Sequence, residues 1–169
     1  MRGLLFAILI VILITALGLG FVWMGFINMR ADAPPSKFES TFLGHAMDAS
    51  VARSAPDVTN PVTLTEPNLA AGARVYRDNC ASCHGDPSRP RSPFGAGFNP
   101  PAPQFMFDAA DMPQNQNFYI LQHGIRWTAM PAWKNLLTDQ QMWQAVTFIS
   151  HIHELPPAAL QVFTVSSPN

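Results

Sequence analysis

The pentapeptide Cys80-Ala81-Ser82-Cys83-His84 constrains this chain more than any other feature. Two cysteines three residues apart lie on nearly one face of a helical turn, and the next residue swings toward whatever both sulfurs hold. Cys-x-x-Cys-His is the spacing of a haem attachment site: each thiol forms a thioether to a porphyrin vinyl group, and the histidine becomes the proximal iron ligand. Other uses of the motif fit less well. A structural zinc site needs four closed ligands, and the other histidines, His45, His123, His151 and His153, are scattered without ligand spacing. A thioredoxin-like redox pair calls for a βαβ context, whereas the flanks here are helical and proline-rich. A Cys80–Cys83 disulfide would close a tiny loop and leave His84 without a purpose.

A second feature bounds the architecture. Hydrophobic residues make up 48% of the chain and charged residues only 12%, and much of that imbalance lies in the uncharged stretch Leu4 to Ile27, 24 residues long. About 20 residues suffice to span a bilayer's hydrocarbon core, and this run would be on the order of 36 Å long as a helix. Trp23 suits an interfacial anchor, with Arg2 and Arg30 bracketing the span. Ala31-Asp32-Ala33 resembles a cleavage site, but the apolar run exceeds the 7–15 residues of a signal h-region, and cleavage after Ala33 would put Pro34 at the scissile bond. The expectation is a retained single-pass anchor. Arg30 and Lys37 balance Arg2, so the positive-inside rule does not orient it; haem attachment outside the cytoplasm implies a periplasmic C-terminal part on the inner membrane.

Four regions succeed one another: an anchor over 1–30, a proline-punctuated linker over 31–64, a helical haem domain over 65–156, and a loose tail over 157–169. Ser36-Lys37-Phe38-Glu39 fits a capping box and predicts a short helix in the linker. If flexible, that linker would have an end-to-end distance on the order of 30–35 Å. Thr65-Glu66-Pro67 opens a helix expected to run to about Asn79. Gly72 inside it costs about 1 kcal/mol against alanine, which points to close approach by another element. Thr138-Asp139-Gln140-Gln141 is a second capping box, and Met142, Ala145, Val146, Ile149 and Ile152 then recur at helical spacing. The simplest packing lays that face across Gly72. A shorter helix is expected from about Gln116 to His123, and no convincing strand alternation occurs.

This pattern, Gly72 and Tyr76 on a first helix, Cys80-Ala81-Ser82-Cys83-His84-Gly85, proline loops, Gly124-Ile125-Arg126-Trp127-Thr128-Ala129-Met130-Pro131-Ala132-Trp133 and a final amphipathic helix, resembles a class I cytochrome c over about 90 residues, Thr65 to Leu155. The resemblance implies an all-α, cytochrome c-like haem domain behind an N-terminal transmembrane helix, with one covalently attached haem c. It assigns His84 and Met130 as the iron ligands, a soft thioether stabilising ferrous iron and Pro131 stiffening its loop. Met112, which also precedes a proline, is the closest rival; Met106 and Met142 read as loop and core residues, and His123 would give bis-histidine ligation. The family's proline carbonyl that accepts the histidine Nδ1–H maps to Asn99-Pro100-Pro101-Ala102-Pro103, with Pro101 favoured. Arg126, with a tryptophan N–H from Trp127 or Trp133, would supply donors to the haem propionates, although the tryptophans fit packing against the haem edge as well.

The function implied is that of an electron carrier rather than an enzyme. Iron held on both faces leaves no open site, and no distal acid or base suggests peroxidase or sensor chemistry. The expected partners are membrane lipid and redox proteins: a quinol-oxidising complex, a terminal oxidase or a dehydrogenase. The chain would serve them as a tethered carrier, or as a fixed subunit, for which the Ser36–Met47 helix and the small residues Ala16 and Gly20 would supply interface. From Glu66 onward there are six basic and seven acidic residues, so no basic ring steers a partner, and nothing supports binding to nucleic acid. His151 and His153, near the end of the last helix, read as surface or partner-facing.

Overall fold

The computed structural model describes residues 2–108 and 110–164, and among them the fold is all-α. The chain divides after Ala31 into two compact units. The first holds α1, Arg2–Trp23. None of its residues is buried, and it is long and apolar enough to cross a bilayer.

The second unit begins with α2, Lys37–Ser54, whose capping box forms as the sequence predicts: Glu39 N–H donates to Ser36 Oγ at 3.1 Å and Ser36 N–H to Glu39 Oε2 at 3.2 Å. At 18 residues this helix is longer than expected, and it is not a free linker. Val51 is buried, and the segment after it is tied down. Asn115 Nδ2 donates to the Pro56 carbonyl at 2.9 Å; Asn60 Nδ2 donates to Gln114 Oε1 and Thr147 Oγ1, each at 2.8 Å. One amide side chain thus satisfies polar groups on two other helices, a role its local sequence does not reveal.

Helix α3, Glu66–Asn79, opens on the Thr65 cap with Pro67 in its first turn and ends where expected. It leads through Cys80 into α4, Ala81–His84, the single turn of the haem motif. After α5, Pro93–Ala96, comes α6, Gln114–His123, which starts two residues before the expected boundary, directly after Pro113. Helix α7, Asp139–Ile149, has both halves of the Thr138/Gln141 capping box. It stops at Ser150, so Ile152 is buried from the turn beyond it. The expected loose tail is instead helix α8 over Pro157–Thr164. Ala159 and Val162 bury against α3, and Arg77 Nη1 donates to the Val162 carbonyl at 3.1 Å. Proline is tolerated in a first turn, and apolar residues one turn apart give this segment a face to bury. Residues 165–169 of the expected tail lie outside the described residues.

Two apolar clusters meet on α7. Tyr76, Ala73, Ala81, Phe148 and Ile152 centre the first; Phe118, Met142, Trp143 and Val146 centre the second, with Phe118 and Trp143 stacked at 4.0 Å. Helices α3 and α7 cross at Gly72, which is buried. A Cβ there would fall on the Gln144 carbonyl oxygen and lie 2.9 Å from Phe148 Cβ. The Gln144 backbone cannot yield as a flexible side chain would, and Phe148 Cβ is fixed to the same helix. Gly72→Ala is therefore expected to destabilise the protein by about 3 kcal/mol, the upper end for overpacking, read as a lowered denaturant midpoint with unchanged slope.

Candidate functional site

The site is built around α4. Cys83 N–H and His84 N–H both donate to the Cys80 carbonyl, at 3.1 and 3.0 Å, which winds the pentapeptide into one turn and puts the two cysteines on one side. Both are free thiols, so the disulfide alternative is not realised. Cys80 as a residue is half-buried, yet burial, with Cys83 nearby, pushes its thiol up to about 12. Such a group stays protonated at neutral pH and is a poor redox nucleophile. Among the described residues no group of three or more His, Cys, Asp or Glu is placed to hold a metal ion, which leaves the zinc reading without its ligand set.

The end of α4 is anchored by residues that no sequence signal singles out. Ser92 Oγ donates to the Ser82 carbonyl, and Gln104 Nε2 to the Cys83 carbonyl at 3.0 Å. Gln104 Oε1 in turn accepts from Ser92 N–H at 2.6 Å. The last carbonyls of a helix lack intrahelical partners; here two nearly fully buried side chains supply them. Tyr76 Oη donates to the Gly85 carbonyl at 2.7 Å, and burial raises its pKa, so the phenol remains a donor. Ser92 and Gln104 lie 10 and 22 residues beyond Ser82, too far for any periodic signal to link them.

His84 Nδ1 lies 2.8 Å from the Pro103 carbonyl oxygen. A carbonyl only accepts, so the proton sits on Nδ1 and Nε2 carries a lone pair. The expectation of Pro101 is corrected by two residues. Pro103 directly precedes Gln104, whose side chain is bonded to the Cys83 carbonyl of α4, and this contact brings the Pro103 carbonyl to the ring. The imidazole stacks on Phe105 at 4.7 Å and 15°. Burial lowers the His84 pKa, with the bond to Pro103 opposing it. The neutral form that results is the one able to donate a lone pair to a metal.

Met130 sits in a loop closed on itself and on α6. Ile125 N–H donates to the Met130 carbonyl at 3.1 Å, Met130 N–H to Thr128 Oγ1 at 3.1 Å, and Trp133 N–H to the Leu121 carbonyl at 2.8 Å. Gly124, at φ 65°, makes this possible: it lies in the left-handed region, and a Cβ would approach the Met130 carbonyl to 2.6 Å. Trp127 also has positive φ, 61°, a cost of about 1–3 kcal/mol for a non-glycine residue. Its ring is 83% exposed, with the Arg126 guanidinium 6.0 Å away. Met130 is half-buried against the second cluster, beside Trp133. Of its rivals, Met142 is a fully buried core residue and Met106 packs on the first cluster. Met112 precedes α6, where its carbonyl accepts from Asn117 Nδ2 at 2.9 Å. His123 is exposed against Tyr119.

These residues suit a covalently held haem on three counts. The two thiols are free and on one side of one turn. The His84 tautomer leaves Nε2 for iron. Trp133 Nε1 is buried without any partner from the polypeptide, a loss of about 1–3 kcal/mol unless something else accepts from it.

Residues 67–149 match the family described as cytochrome C oxidase, cbb3-type, subunit III. No curated protein matches the chain.

Proposed function

Residues 67–149 form a class I c-type cytochrome domain, and from that premise we propose that the chain is a membrane-tethered monohaem carrier of single electrons in a periplasmic chain. The observation that carries the proposal is the His84 Nδ1–H bond to Pro103, which leaves the Nε2 lone pair available to a ligand role and orients the ring. A bound haem c supplies a reversible one-electron Fe(III)/Fe(II) couple. In this reading Cys80 and Cys83 would hold the porphyrin and His84 and Met130 would ligate its iron, with Arg126 and Trp133 in the loop that carries Met130. Ser92 and Gln104 at the end of α4, and Gly124 against the Met130 main chain, hold the segments that carry His84 and Met130 in place. Helix α1 serves as the anchor, which holds the redox centre near the bilayer and raises its effective concentration for membrane partners. Quinol-oxidising complexes, terminal oxidases and dehydrogenases are the partner classes proposed.

A second reading, a fixed subunit of an oxidase, has its own support. The matched family carries that description, and α2 turns an apolar face outward. Phe38 and Phe42 stack at 5.5 Å and are 76% and 60% exposed, on the side of α2 opposite Met47 and Val51. The test is purification of the full chain in mild detergent from its native membrane, followed by redox titration. A monodisperse protein with a one-electron wave supports the carrier. Stoichiometric co-purification with other haem subunits overturns it in favour of the subunit.

A further inference from the structure

Helix α2 carries apolar residues on two opposite sides. Val51 is buried and Met47 half-buried on one, while Phe38 and Phe42 stack on each other, exposed, on the other. Ala46 and Ala49, also exposed, continue the outward side at helical spacing. A surface helix of a globular domain has one apolar stripe facing the core, so the second stripe has another surface to meet. We propose that this outward face of α2 lies in the interface of the bilayer that α1 spans, a second membrane contact that orients the haem domain instead of leaving it to swing on its tether. This rests on the reading of α1 as a retained anchor.

The length of the chain brings that face to lipid. Asn99 Nδ2 donates to the Ala33 carbonyl at 3.1 Å, which ties the chain to the haem domain four residues before α2 begins. Only residues 28–32 separate Ala33 from Ile27, the end of the apolar run. Such a step reaches at most about 20–22 Å, so the domain cannot move far from the membrane surface at this point. Beyond α2, Asn115 holds the Pro56 carbonyl and Asn60 bonds to Gln114 and Thr147, so seating α2 also fixes α6 and α7. Charge does not drive the contact: on α2, Lys37 and Arg53 balance Glu39 and Asp48, and Glu39 is turned back to Ser36 N–H by the cap. Interfacial helices that bind from solution carry a basic polar face. Helix α2 has none and needs the tether, which raises the local concentration of lipid. A protein partner fits less well. At about 150–250 Å² each, the two rings supply no more than about 500 Å², below the roughly 800 Å² per partner of a standard interface; a bilayer requires no complementary shape.

The test uses the full haem-loaded chain in phosphatidylcholine vesicles at low protein density. Cys80 and Cys83 are the only cysteines and haem occupies both, so A46C offers a nitroxide label a single thiol on the outward face. That label is expected to be reduced by ascorbate about tenfold more slowly than one at T41C, which is exposed off that face, because the interface screens it from an aqueous anion. F38S/F42S should bring the two rates together. Equal rates at A46C and T41C with both rings present overturn the proposal. So does protection that appears only in native membranes, which would make the face a protein interface, or only at high protein density, which would make it a contact between copies. The comparison of the two labels decides the matter even if F38S/F42S fails to fold. Release of the chain from the vesicles by alkaline carbonate would instead overturn the anchor reading itself, a failure that sedimentation detects without the label.

Discussion

The Cys80→Ala/Cys83→Ala double variant is expected to carry no covalently bound porphyrin, so that denaturing mass spectrometry returns only the mass of the polypeptide. Each single variant is expected to keep one thioether and to release part of its haem under denaturation. The reason is geometric. The pentapeptide is wound into one turn by two bonds to the Cys80 carbonyl, and the end of that turn is clamped by Ser92 and Gln104. The turn therefore presents the two thiols together. Loss of both leaves His84 as the sole tie on that face, and a single imidazole bond does not survive denaturation. A wild-type chain without added porphyrin mass would remove the basis of the proposed function.

Met130→Ala, in contrast, is expected to keep its haem and to lose the far-red band that marks thioether ligation, as the proposed ligand role of Met130 requires. Its reduced form gains a site for carbon monoxide, and its midpoint potential falls by on the order of a few tenths of a volt, within the ~0.8 V that axial ligation spans. The direction comes from the softness of sulfur, which favours the ferrous state. The fold should survive, because Met130 is only half-buried and the loop is held by the main-chain bonds of Ile125 and Trp133. Met112→Ala serves as the comparison. If the band persists in Met130→Ala and vanishes in Met112→Ala, the distal ligand lies before α6 rather than after it.

Much of the site is legible in the sequence because it is encoded locally. The Ser36 and Thr138 capping boxes, the Thr65 cap and the single-turn haem motif each depend on residues three or four apart. Gly72 announces the helix crossing for a similar reason: a glycine in a helix interior is costly unless another backbone approaches. The hidden features depend on partners distant in sequence. Gln104 reaches Cys83 across 21 residues, Asn60 reaches Thr147 across 87, and Arg77 reaches Val162 across 85. No periodicity records such bonds. For that reason the sequence suggests a loose linker, a frayed tail and Pro101, where the structure has a tied segment, a packed helix and Pro103.

By itself, the amino-acid order determined α1, α3, α7 and the start of α2, the side-chain caps at Ser36, Thr65 and Thr138, and the chemistry of the two thiols and the histidine, since all of these arise from contacts within one or two turns. Tertiary packing alone decided which carbonyl orients His84, which side chains cap α4, and which indole is left buried with a hydrogen to give. Those choices depend on how loops far apart in the chain are pressed against one another by the burial of the two apolar clusters, and burial acts over area, without regard to sequence distance.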